Sequence, residues 1–229
     1  MNTSLYVIIL SIVFLIVLIV LIIFFINRKS IKIKILEEEA AKGSPETKLA
    51  LGLMFYSGVQ IPVDKEKGCK YIKQAADAGN AQAQYLYSGI VLGADSGKEP
   101  TKEQLLEAAS WIQKAADGGF LTAITTLANM YAEGKIFKKD IKKSQAYFLK
   151  AAEMGDIQSQ LTIAGIYHFS IGLDKTIGYA WYKVAEHNGN EYAAEAAEKL
   201  YDELSDDMKK EALKKADEYI SKYAVSKLN

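Results

Sequence analysis

Cysteine occurs once in the 229 residues, as Cys69, so no disulfide can close within the chain and the redox compartment stays open. A single thiol with two histidines, His168 and His187, also falls short of an ordinary structural zinc site. Cys69 is read as a small packing residue rather than a reactive thiol. Proline occurs three times, at Pro45, Pro62 and Pro100. One suits the first turn of a helix and two suit loops, so none interrupts a helix. Net charge is absent, with 28 basic against 28 acidic side chains. With no basic stripe, the chain does not suit a nucleic-acid backbone. Nucleophile and phosphate-loop patterns such as Ser-x-x-Lys, Gly-x-Ser-x-Gly and Gly-x-Gly-x-x-Gly are missing. Nothing in the sequence assembles a catalytic centre, a cofactor site or a small-molecule site, and no enzyme activity is expected.

What is present begins with one long apolar run. Leu5 to Ile26 carries no charge. As a helix it would span roughly 33 Å, enough to cross a bilayer. A cleaved signal peptide would need a basic start and a small-residue cleavage site, and neither is there. The expectation is one transmembrane helix over residues 1–27, with its core at 5–26. Arg28, Lys29, Lys32 and Lys34 follow it. The positive-inside rule then predicts a cytoplasmic repeat domain and a single-pass protein of a bacterial inner membrane, with a periplasmic domain as the alternative. Residues 28–43 read as a basic juxtamembrane linker. The alternation of Ile31, Ile33 and Ile35 with lysines fits a strand or a continuing helix, and the helix is preferred. Gly43 ends it, and Ser44-Pro45 starts the next. Beyond Leu36 the balance is 24 basic against 28 acidic side chains, a net of −4.

The rest of the chain is organised by a repeated phrase. It reads Ala75-Ala76-Asp77-Ala78-Gly79, Ala115-Ala116-Asp117-Gly118-Gly119, Ala151-Ala152-Glu153-Met154-Gly155 and, degenerate, Ala185-Glu186-His187-Asn188-Gly189. Its glycines stand 40, 36 and 34 residues apart, a period that marks a solenoid. Each phrase reads as a helix end closed by a left-handed glycine. Eight residues before each glycine stand Tyr71, Trp111, Tyr147 and Trp181, an aromatic position on a packing face, with Trp111 and Trp181 predicted to be buried. Eleven before stand the small residues Gly68, Ala108, Ser144 and Gly178. Asp64, Asp140 and Asp174 are predicted N-caps, with Gln104 in the odd copy. A second helix precedes each of these, with matched columns that include Leu51, Tyr87, Leu127 and Ile163, then Gly52, Ser88, Ala128 and Ala164.

These residues resemble the Sel-1-like repeat family, relatives of the tetratricopeptide repeats. Leu51-Gly52-Leu53-Met54-Phe55-Tyr56-Ser57-Gly58 and Trp181-Tyr182-Lys183 carry the likeness most closely. The resemblance implies an all-α solenoid of about four helix-pair repeats over 44–190, divided 44–80, 81–119, 120–155 and 156–190. Copy two is longer around Gly93–Pro100 and copy four is shorter around Ser170-Ile171-Gly172. Residues 191–229 are expected to form two capping helices, broken near Leu204 and Ser205, with a polar outer face.

The resemblance also implies function. In related repeats a partner lies against the first helix of each pair. The matching positions are Leu53, Tyr56, Gln82, Tyr85, Asn129, Glu133 and His168, with Leu49, Leu92, Thr125 and Leu161 beside them. The expected role is a membrane-anchored adaptor that binds a partner protein or peptide. The alternatives are an immunity protein that neutralises one toxin and, last, a hydrolase.

Overall fold

The computed structural model describes residues 14–21, 31, 33–59, 61–93 and 97–225. Among the described residues every regular element is helical. Contacts divide the chain into two compact units, residues 1–90 and 91–229. The first holds helical residues 33–41 and helices α1 (Pro45–Ser57), α2 (Lys65–Asp77) and most of α3 (Ala81–Val91). The second holds α4 (Lys102–Asp117), α5 (Leu121–Glu133), α6 (Ile141–Glu153), α7 (Ile157–Phe169), α8 (Lys175–His187), α9 (Glu191–Glu203) and α10 (Asp206–Tyr223).

Most of the apolar run, residues 5–13 and 22–26, lies outside the described residues. Its middle, residues 14–21, is helical, with Phe14 71% and Leu18 43% exposed. Among the described residues no helix is long and apolar enough to cross a membrane.

Each Ala-Ala-x-x-Gly phrase closes a helix and starts the next one. Asn80 N donates to Ala75 O (3.1 Å) and Gly79 N to Ala76 O (3.0 Å), while Gly79 holds φ 90°. The same pair of bonds recurs at Gly119, Gly155 and Gly189, a Schellman ending each time. The residue after the glycine is then an N-cap. Asn80, Asp156 and Asn190 accept from Ala83 N, Ser159 N and Ala193 N through their side chains. Phe120 takes the place without a side-chain cap. The carbonyl of the second alanine finds a donor as well. Buried Gln84 donates to Ala76 O (3.2 Å) and buried Gln160 to Ala152 O (3.1 Å). In the copy with Ile124 at that place, Lys150 Nζ donates to Ala116 O (3.1 Å) instead.

The other expected caps hold with one correction. Ser44 caps α1, and Asp64, Asp140 and Asp174 cap α2, α6 and α8. Gln104 is not a cap. Thr101 caps α4 in a reciprocal box, and Gln104, three residues on, bonds back to Thr101 N at 2.9 Å. The helix therefore starts earlier and runs 16 residues.

Small residues set the closeness of each pair. A Cβ on Gly68 would stand 2.7 Å from Tyr56 N and 2.9 Å from Gly52 O, and one on Gly178 would stand 3.0 Å from Ala164 O. Backbones meet there, so a side chain has no room. Gly52, Ser88, Ala128 and Ala164 are all buried. Unit one closes over Ala40, Leu51, Phe55 and Ile61. The core of unit two is centred on Trp181, Val184, Leu200 and Ala212.

Three further expectations need correction. Trp111 is half-buried rather than buried, with Lys114 Nζ 4.1 Å from its ring centre. Cys69 is likewise half-buried. The final helices do not pack against each other as a pair. The link between them is only Leu204 and Ser205, and Leu204 is itself buried in the core. So α10 packs along α8 instead. Its Lys215 meets Asp174 at the start of α8 (2.6 Å), and Val225 N meets Asn188 Oδ1 at its end (2.9 Å). The two helices therefore run in the same direction.

Candidate interaction faces

The first helix of each pair buries one stripe and leaves another at the surface, as an amphipathic helix must. On α1, Leu51, Gly52 and Phe55 are buried, Leu53 is exposed and Tyr56 is half-buried. The Nζ of Lys65 stands 5.4 Å from the centre of the Tyr56 ring. Leu49, expected on the open face, is buried. On α3, Gln82 is exposed and Tyr85 is half-buried, its carbonyl accepting from Ser88 Oγ (2.6 Å).

In the second unit Asn129 and Glu133 are exposed on α5. Glu133 pairs with Lys135 (3.0 Å), a surface pair of little energetic weight. Thr125, Leu161 and Leu92 are half-buried.

His168 is a different case. It was expected on the open face, but it is 7% exposed. Its Nε2 lies 3.2 Å from Glu203 Oε1, and its ring stacks on Phe169 and meets Tyr182 edge-on. Glu203 also accepts from Lys175 Nζ (2.6 Å). The hydrogen bonds from Lys175 and then His168 hold the Glu203 carboxyl below the ordinary value. This cluster ties α9 to α7 and α8. It is a fastening rather than an open contact point, because the His168 ring is buried and its Nε2 is engaged by Glu203 of α9. Sequence spacing could not reveal that, since Glu203 lies 35 residues away with no motif around it.

Sequence spacing put the aromatic column of the second helices on a packing face in every copy. It is not uniform. Trp181 is 1% exposed, whereas Tyr71, Trp111 and Tyr147 are half-buried. The lysines one turn before Tyr71 and Tyr147, Lys67 and Lys143, were the available signal. A lysine beside an aromatic column marks an edge of the core. Among the described residues no group of three His, Cys, Asp or Glu side chains could hold a metal ion.

Three stretches, residues 45–80, 81–120 and 123–156, match the Sel1 repeat model. The chain is 33% identical over 118 residues to the Sel1-repeat-containing protein YjcO of Escherichia coli K12, covering 52% of this chain and 46% of YjcO. It is 28% identical over 174 residues to the chitin synthase regulator SKT5 of Saccharomyces cerevisiae, covering 72% of this chain and 24% of that one. The chain thus spans less than half the length of these curated relatives. A Sel1 repeat protein from Oxalobacter formigenes superposes with a TM-score of 0.58 at 23% identity, over 81% of this chain and 78% of the other. That likeness shows the fold, an all-helical solenoid. The α7–α8 pair lies beyond the matched stretches but keeps the same glycine ending and the same small-residue crossing. Across residues 45–156 this chain is thus similar to the Sel1 repeat family.

Proposed function

We propose that the chain is a membrane-tethered protein-interaction module whose first helices present a partner-binding face. The observation that carries this reading is the second stripe on α1 and α3. Leu53, Tyr56, Gln82 and Tyr85 stay at the surface beside a fully packed stripe. Tyrosines combine a large apolar area with a polar tip and are frequent hot spots of interfaces. Asn129 and Glu133 extend the same stripe type to α5. Similarity to a repeat family used for protein binding supports the class. His168 and Leu49 are not part of the face, because both are buried.

The tether is residues 5–26. Eight consecutive apolar residues, 14–21, form a helix exposed on every side, and an all-round apolar helix needs either a protein core or a bilayer. Arg28, Lys29, Lys32 and Lys34 favour a cytoplasmic repeat domain, and we propose a bacterial inner membrane as its site.

The test is a pull-down from membranes with Tyr56→Ala plus Tyr85→Ala, beside a melting curve of the same variant. Capture should weaken by about 2 kcal/mol or more while the fold persists. A folded variant that captures the same proteins at the same strength sinks the face. Several captured partners would fit an adaptor; one at equal stoichiometry would fit an inhibitor.

A further inference from the structure

The aromatic pair of repeat one has a cover. Phe55 and Tyr71 stack with centroids 6.0 Å apart and planes 7° apart. The Nζ of Lys67 lies 4.3 Å from the Phe55 ring centre and pairs with Glu37 at 2.5 Å. Glu37 belongs to helical residues 33–41, which set Ile33, Leu36 and Ala40 against the same cluster. A short helix thus covers an aromatic pair and supplies a carboxylate to the lysine. Its hydrogen bond to Glu37 holds Lys67 above the ordinary lysine value.

Repeat four has a cover of its own. Trp181 is overlaid by Tyr219 (5.3 Å) and Tyr223 (5.0 Å) of α10. The end of that helix reaches back to α6, where Tyr223 OH bonds Glu153 at 3.2 Å.

Repeat three repeats the arrangement of repeat one without the cover. Tyr131 and Tyr147 stack at 5.8 Å and 6°. Lys143 Nζ stands 5.1 Å from the Tyr131 ring centre, where Lys67 stands over Phe55. The spacing is the same in sequence, since Asp64, Lys67 and Tyr71 correspond to Asp140, Lys143 and Tyr147. A groove of about 490 Å³ opens here between α4 and α6, lined by Gln113, Tyr131, Lys143, Ala146, Tyr147 and Lys150. Phe137 stacks on Tyr131 at 5.0 Å and lengthens the apolar floor. Among the described residues Lys143 has no carboxylate partner, and neither do Lys138, Lys139 and Lys142 beside it. The acids nearby are already engaged, Asp140 as the cap of α6 and Asp117 by Gln113.

We propose that this groove receives an acidic amphipathic helix of a partner protein, with a carboxylate on Lys143 and small apolar residues over the Tyr131–Tyr147 stack. The occupant is a helix because helices cover the corresponding aromatics of repeats one and four. It is acidic because the rim carries unpaired lysines and because the cover of repeat one uses Glu37. A second copy's α10 does not fit, since its aromatic side chains Tyr219 and Tyr223 are already engaged on Trp181. The groove shares no residue with the face carrying Tyr56 and Tyr85, so the two readings fail separately.

The probe is a dye-labelled, stapled helical peptide with the acidic sequence of residues 33–41, titrated onto the full chain in mild detergent and followed by anisotropy. Saturable binding is expected. Lys143→Glu and Ala146→Arg, both at exposed positions, should each weaken it at least about tenfold. A peptide carrying Glu37→Lys should bind the wild type worse and regain affinity for Lys143→Glu. Circular dichroism checks that each variant is folded. Three outcomes overturn the proposal: no saturation up to about 1 mM peptide, a weak-interaction limit; equal binding of the charge-reversed peptide; or loss with Lys67→Glu but not Lys143→Glu, which would mean exchange at repeat one.

Discussion

Gly68 and Gly89 are both helical glycines, and their surroundings give them opposite roles. A Cβ on Gly68 would press on backbone atoms of Tyr56 and Gly52 at 2.7–2.9 Å, whereas one on Gly89 meets nothing within 4 Å. Alanine normally gains about 1 kcal/mol over glycine inside a helix. Gly89→Ala should therefore stabilise by about 0.5–1 kcal/mol. Gly68→Ala should instead destabilise by about 1–3 kcal/mol, because backbone cannot step aside as a flexible side chain can. Urea melts of the two variants check this; two changes of the same sign would put the helix crossing in doubt. The tryptophans divide in a similar way. Trp181 is enclosed by α10, while Trp111 keeps part of its ring in water with Lys114 alongside. Both occupy the same repeat position, so what differs is the neighbour and not the residue.

Among the elements, α8 carries the most varied fastening. Asp174 accepts from Thr176 N (2.9 Å) and Thr176 Oγ1 (2.6 Å), and pairs with Lys215 of α10. Burial pulls the Asp174 carboxyl up, but the hydrogen bonds from Lys215 and Thr176 outweigh it, and its pKa lies below the ordinary carboxylate value. Burial pulls Lys215 down, and its bonds to Asp174 and Glu211 outweigh that, so it lies above the ordinary lysine value. For Asp174, stability is fully present above the unfolded value of about 3.9 and is lost as pH falls through the lower folded value. For Lys215 it is present below about 10.4 and is lost as pH rises through the higher folded value. Asp174→Asn should cost less than about 1 kcal/mol at neutral pH, since the carboxylate is part-exposed. That gap should close as the pH is taken below the ordinary carboxylate value and through the lower folded one. Asp174→Ala should add the lost cap, about 1 kcal/mol more. Thermal melts across pH measure both; a gap independent of pH would remove Lys215 from the account.

At the scale of the whole molecule, helical residues 33–41 in unit one and α10 in unit two do the same job. Each covers aromatic side chains that a bare repeat leaves at its edge. Before the first cover lies the uncharged run, with its basic flank. If that run is the tether, a reporter fused after Asn229 should be active in the cytoplasm. A strongly active alkaline phosphatase fusion at the same place would reverse the orientation. Recovery of the full chain in a salt-washed soluble fraction would remove the tether itself.

The sequence by itself determined the helices, their ends and their crossings. The phrase Ala-Ala-x-x-Gly, the Asp caps and the small columns act over a few residues or one helix contact, so spacing alone carries them. The Thr101 cap escaped because copy two is longer, and counting back from its glycine led to Gln104. Tertiary structure decided what spacing cannot encode. Whether His168 faces water or Glu203, and whether Trp181 or Tyr147 is covered, depends on which later helix returns to that place. The return of α10 to α8 follows from a two-residue link and a buried Leu204, contacts made between residues far apart in the chain. Local periodicity repeats in every copy, while the covers over copies one and four come from outside the repeats, and only folding brings the two together.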